Sequence, residues 1–336
     1  MKRYKRGQRN RRKKMVLFVL VLALMVAVGP FVWHATHLRH AKDNYDVEKV
    51  QQELIWFKKF GGPIRNLAMI VDSELWLDLT MGTEGGESKL ESYQDDQHQF
   101  WLYELYLREG NLTKAQRILD TLSEKNLNSL GKGLMLMATG DSEQCRKLLG
   151  DSDANWSKMP LAEQTLRYLT IAQANLALGD QPAVQSALEA AQDLNPNNPA
   201  CLTAAFDLAI KEEQWTKADE LSRSIDAQSW RPPNVLYETK KAILALHTGN
   251  QTNFAQCLST LGKLPQGDIY VDYVKGILAI NDGDLDEGRG LLENALTNGL
   301  EGDLRSDAQN AVNQISEREQ ADPNLRAVVS EYGEHW

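Results

Sequence analysis

The 336-residue chain is 42% hydrophobic and 25% charged, which gives enough apolar side chain for a packed core under an ordinary soluble surface. Its net charge of -9 hides an asymmetry: residues 2–14 carry nine Lys or Arg, and the remainder has 28 basic against 46 acidic side chains, a net of -18. That balance disfavours nucleic acid and anionic lipid along the main body, and three cysteines (Cys145, Cys201, Cys257) without a CxxC exclude both a closed disulfide set and a paired-cysteine zinc motif.

The basic block of residues 1–14 is followed by "MVLFVLVLALMVAVGPFVW", residues 15–33, nineteen residues without a charge. At ~1.5 Å per residue this length crosses ~30 Å of hydrocarbon. A cleaved signal peptide would have an apolar run of only ~7–15 residues and small residues before the cut. Here Phe31, Val32, Trp33 and His34 fill that place, so an uncleaved transmembrane anchor over 15–35 is expected. The nine cations put the first residues in the cytoplasm and the rest of the chain outside it, making a single-pass protein of the cell membrane. Immediately after it, "HATHLRH" places His34, His37 and His40 three residues apart, a weak metal pattern with no carboxylate before Asp43.

Residues 36–94 read as a membrane-proximal segment. "YDVEKVQQELIWFKKFGG" (45–62) and "IRNLAMIVDSELWLDL" (64–79) have the periodicity of an amphipathic helix pair, and "TMGTEGGESK" (80–89) reads as a flexible linker.

From residue 95 to 300 the chain repeats itself. "EGNLTKAQRIL", "TGDSEQCRKLL", "LGDQPAVQSAL", "EEQWTKADELS", "TGNQTNFAQCL" and "DGDLDEGRGLL" align on turns at Gly110, Gly140, Gly179, Glu213, Gly249 and Gly283, spaced by 30, 39, 34, 36 and 34 residues. Asn or Asp follows the turn in five units, which suits a helix start. Five residues on come Ala115, Cys145, Val184, Ala218, Phe254 and Gly288, mostly small. Nine residues on come Leu119, Leu149, Leu188, Ser222, Leu258 and Leu292, and seven before it Gly133, Ala172, Ala242 and Gly276 give a second small contact. Each unit therefore reads as two antiparallel helices joined by a tight turn, and no strand-like alternation of useful length occurs. Residues 150–160 hold the insertion behind the 39-residue spacing. "DLRSDAQNAVNQISEREQA" (303–321), within residues 301–336, reads as a terminal capping helix with a polar face.

These offsets resemble the tetratricopeptide repeat family, most clearly at 165–198 with Gly179-Asp180, Leu188, Ala191 and Pro196. The resemblance covers about 95–300 as six degenerate units, with Glu213 in place of a turn Gly, Phe206 at a usually small position, and Glu238 and Lys241 at apolar ones. It implies an all-α fold: an α-solenoid of antiparallel helix pairs wound as a right-handed superhelix, here behind one amino-terminal transmembrane helix. It also implies an inner groove lined by the first helix of each pair, with Phe100, Glu104 and Arg108, then Thr203, Asp207 and Lys211, then Tyr270, Tyr273 and Ile277.

Motifs for chemistry are lacking. "GTEGGES" has no lysine and no strand before it, there is no HExxH or nucleophile elbow, and "NDGDLDEG" (281–288) lacks a closing Glu for calcium and is already accounted for as a repeat turn. No catalytic residue, no metal, no cofactor and no small-molecule substrate is expected. The resulting expectation is a non-enzymatic, membrane-anchored scaffold that binds protein or peptide partners, basic or membrane-bound, in envelope assembly, secretion or chaperoning. The alternatives are a self-associating structural solenoid and an envelope hydrolase with a degenerate groove site.

Overall fold

The computed structural model describes residues 28–59, 67–82, 86–150, 156–228 and 234–321. The basic block, residues 15–27 of the expected membrane span and the last fifteen residues lie outside these. Among the described residues no helix is long and apolar enough to cross a membrane.

The described chain is all α. Helix α1 covers 28–43, followed by α2 (Val47–Lys58), α3 (Ala68–Met81) and α4 (Gly86–Glu91). Six antiparallel pairs then follow: α5 (Asp96–Arg108) with α6 (Leu112–Thr121), α7 (Lys125–Ala138) with α8 (Ser142–Leu149), α9 (Leu161–Ala177) with α10 (Gln181–Leu194), α11 (Pro199–Lys211) with α12 (Trp215–Asp226), α13 (Val235–His247) with α14 (Gln251–Leu261), and α15 (Gly267–Asp282) with α16 (Leu285–Thr297). A last helix, α17 (Gly302–Ala321), ends the described chain. The chain divides into two compact units, one of residues up to 204 with 227–231 and the other of 205–226 with residues from 232 onward.

One turn chemistry joins the helices of all six pairs. Gly110, Gly140, Gly179, Glu213, Gly249 and Gly283 all have positive φ, between 55° and 91°. The amide after each donates to the carbonyl five residues back, as from Asn111 to Tyr106 at 2.8 Å, Gln214 to Ala209 at 2.8 Å and Asp284 to Ala279 at 2.8 Å. This left-handed closure satisfies carbonyls that the first helix would leave open. In five turns the next residue then starts the second helix. The side chains of Asn111, Asp141, Asp180, Asn250 and Asp284 each accept from the amide three residues on, at 3.0–3.3 Å.

The fourth turn departs twice. Glu213 adopts φ 55° with a side chain, and Gln214 follows where the others have Asn or Asp. A left-handed residue with a Cβ costs ~1–2 kcal/mol, part of which glycine loses again through its freer unfolded chain. Glu213→Gly is therefore expected to stabilise the protein by about 0.5–1 kcal/mol, read as a higher urea midpoint; an unchanged or lower midpoint would mean that this turn is not strained.

Inside a pair, the small position seven before the turn receives the leucine nine after it. A Cβ on Gly133 would lie 2.7 Å from Leu149 side-chain atoms, and one on Gly276 would lie 2.9 Å from those of Leu292. Both leucines are completely buried, and each such side chain contributes ~1.5–3 kcal/mol. Cys145, Cys201 and Cys257 are free and buried as small apolar residues, and burial lifts the Cys145 thiol to about 11 and that of Cys201 to about 12.

The first unit has a core of Leu75, Leu90, Phe100, Tyr103, Leu119, Leu130 and Leu149, with a separate cluster of Leu38, Val50, Leu54, Phe57 and Ile70 holding α1, α2 and α3 together. In the second unit Tyr273, Val274, Leu292, Leu304, Ala308 and Val312 share one core, so α17 packs its apolar stripe against the preceding helices. Part of the stretch taken as a flexible linker is ordered helix: α4 buries Leu90, Tyr106 Oη donates to Glu91 at 3.0 Å, and Lys114 Nζ meets Glu87 at 2.9 Å. These tertiary contacts override a Gly- and Ser-rich composition. Of the three histidines at 34, 37 and 40, only His34 is partly buried. His34 Nδ1 lies 2.6 Å from Glu53 and its ring stacks on Trp56, while His37 Nδ1 lies 2.8 Å from the Trp33 carbonyl oxygen one turn back.

Candidate docking cleft

In the first unit the amino-terminal helices lie across the repeat helices and leave a cleft of about 290 Å³. Trp76, Leu79 and Thr80 of α3 form one wall; Trp101, Glu104 and Arg108 of α5 and Ala162, Glu163, Leu166 and Leu169 of α9 form others, with Asn198 and Ala200 at the start of α11. The spacing explains the α5 wall, since Gln97, Trp101, Glu104 and Arg108 stand at i, i+4, i+7 and i+11 and share one face of the helix.

The cleft is fixed from three sides. His98 of α5 bridges Asp95 at 2.8 Å and Asp72 of α3 at 3.2 Å, and its ring stacks on Tyr93. Tyr45, at the corner between α1 and α2, accepts from Asn198 Nδ2 at 2.9 Å, and Asn197 Nδ2 donates to Asn44 at 2.8 Å. At the far end of α8, the buried Arg167 Nε donates to the Leu149 carbonyl at 2.7 Å and its guanidinium covers Trp156, anchoring α9.

Two carboxyl groups, Glu104 and Glu163, line the cleft within this frame. Glu163, 4% exposed, accepts from Gln97 Nε2 through Oε1, while its buried Oε2 has no hydrogen-bond partner. Glu104 is half-buried in the same wall. Its removal from water and then the neighbouring charge of Glu163 raise its pKa to about 8, against a smaller downward pull from Arg108. Burial likewise pushes the Tyr45 phenol upward, with Cys201, Glu163, Glu104 and Asp43 adding to it. The cleft is thus acidic at depth, aromatic on two walls and cationic at the exposed Arg108 on its rim.

Of the nine residues assigned to an inner groove, Glu104 and Arg108 line this cleft. Phe100 is a core residue stacked near Tyr103, with ring centroids 5.8 Å apart, and Tyr270 and Tyr273 are buried in the core of the second unit with Ile277 packed against it. Their aromatic rings serve helix packing and offer no open anchor. Asp207 is engaged by Lys240 at 3.2 Å, Thr203 is half-buried and Lys211 is exposed. Trp76, Trp101 and Glu163 were not assigned. The i, i+3, i+7 spacing of Trp101, Glu104 and Arg108 could have exposed Trp101; nothing local to Trp76 or Glu163 could have brought them to the same place.

No family model matches the chain, and no curated protein matches it. Among solved structures, the crystal structure of the APC/C hetero-tetramer Cut9-Hcn1 is similar over 81% of this chain and 62% of that one, at 11% identity and a TM-score of 0.44. The chain thus spans less than two thirds of the length of that solved chain, and the helix-pair architecture rests on the turns and contacts described above.

Proposed function

We propose that this protein is a membrane-anchored scaffold that docks protein partners outside the cytoplasm, without catalysis of its own. The observation that carries the reading is the cleft: a pocket between α3, α5 and α9, walled by two tryptophans and bearing an unpaired buried carboxylate oxygen, built like an anchor pocket for one side chain of a larger partner. Anchorage is supported by the nine cations of residues 2–14 before nineteen uncharged residues, and it would raise the effective concentration of membrane-bound partners.

Short-range cross-linking of the full chain in intact membranes, beside the rim variant Arg108→Glu, tests this. A defined set of foreign protein adducts that weakens in the variant is expected. Adducts consisting only of this chain would replace docking with self-association. Protease applied to the outer face should digest the helical repeats, and complete protection would overturn the orientation.

A further inference from the structure

We infer that the cleft between α3, α5 and α9 is a subsite for one basic side chain of a partner polypeptide, with its ammonium or guanidinium group seated between Glu104 and Glu163. This deepens the docking function proposed above and rests on it. Three independent features point to a cation. Glu163 is 4% exposed and its Oε2 lacks a partner, an arrangement that is costly unless something donates to it. Glu104 comes to the same cavity from another helix, so an entering cation would meet two carboxyl groups and not one. Trp76 and Trp101 supply ring faces and edges for the methylene stem and for the charge.

The competing groups do not fill the role. Gln97 already spends its amide on Oε1 of Glu163, and Arg108 is exposed at the mouth, where it can meet a backbone carbonyl or a carboxylate of the incoming chain. Tyr45, whose phenol feels both carboxyl groups, and Tyr103, which feels Glu104, bring no positive charge. The volume of about 290 Å³ lies at the lower end for ligand pockets, the size for one side chain and too small for an extended peptide.

The test uses the full chain in detergent micelles, labelled with 5-fluorotryptophan, with the Trp76 and Trp101 fluorine resonances assigned by single Trp→Phe variants. The probes are an acetylated, amidated Ala-Ala-Lys-Ala-Ala peptide, its norleucine counterpart and n-butylamine. The lysine peptide should move both resonances saturably, the norleucine peptide should not, and Glu163→Gln and Glu104→Gln should each weaken binding at least tenfold. Equal response to lysine and norleucine, or none to either, would overturn the cation subsite. Response to n-butylamine alone would overturn the polypeptide as its occupant. The two readings fail separately: if cross-linked partners persist unchanged in Glu163→Gln, docking stands and the subsite falls, whereas peptide binding without foreign adducts leaves the subsite and removes the scaffold.

Discussion

Replacing Lys240 with alanine should destabilise the second unit by about 2 kcal/mol and release its last helix first. Lys240 is a buried cation on α13, with its Nζ 3.2 Å from Asp207 on α11 and 3.0 Å from Asp303 on α17. Burial raises the Asp207 pKa and Lys240 counters that, so the ammonium is what makes this carboxylate tolerable where it lies. Breaking a fully buried pair from one side costs ~3–5 kcal/mol, and the lower figure here allows for the water that still reaches both aspartates. Hydrogen exchange should show protection lost in α17 before α15 or α16. Asp303→Asn should cost less, because Asp303 is the more exposed of the two and Lys240 keeps Asp207 as its partner. Equal protection of α17 in Lys240→Ala and the parent chain would mean that the apolar stripe of Leu304, Ala308 and Val312 holds the helix unaided.

That network shows why the helix pairs were legible in the sequence and much of the candidate site was not. The pairs follow from local rules. A positive φ selects Gly, the amide that must be capped selects Asn or Asp, and a leucine needs a small residue opposite, all within about sixteen residues. Even Glu213 obeys the geometry while violating the residue preference, so spacing identified a turn that composition would have missed. Glu238 and Lys241, which broke the apolar pattern, lie in a helix whose polar residues are used: Lys241 pairs with Asp226, and Lys240 beside it is the buried cation.

The cleft depends on contacts that no local pattern encodes. Tyr45 meets Asn198 across 153 positions, and Gln97 meets Glu163 across 66. Reading a groove from the first helix of each pair found Glu104 and Arg108 because their own helix sets that face. It chose Phe100 in place of Trp101, one position away, because a hydrophobic ring is equally compatible with packing or exposure until its neighbours are placed. Residues 64–79 read as one helix of an amphipathic pair, but α3 carries apolar residues on all sides, so its sequence does not say which face forms a wall; the bridge from His98 to Asp72 shows it.

The acid pair carries the second large expected effect, a stability that falls as pH rises. An ordinary glutamate in the unfolded chain loses its proton near 4.5, whereas Glu104 in the folded chain keeps it until about 8. Between these values the folded protein holds a proton that the unfolded chain has given up. Raising the pH therefore favours unfolding by up to ~1.4 kcal/mol per pH unit, the penalty accumulates across this window, and it stops growing above about 8. With allowance for partial hydration of the site, the loss by pH 8 is on the order of 3 kcal/mol. Glu104→Gln cannot ionise and should be more stable than the parent chain by that amount at pH 8, with little difference at pH 5, as read from urea midpoints of the full chain in micelles. Parallel curves for the two proteins from pH 5 to 8 would show that Glu104 titrates as a surface carboxylate and that the cleft is wet. Saturating lysine peptide should stabilise the parent chain more at pH 8 than at pH 5, because the seated cation favours the ionised carboxylate that the empty cleft resists.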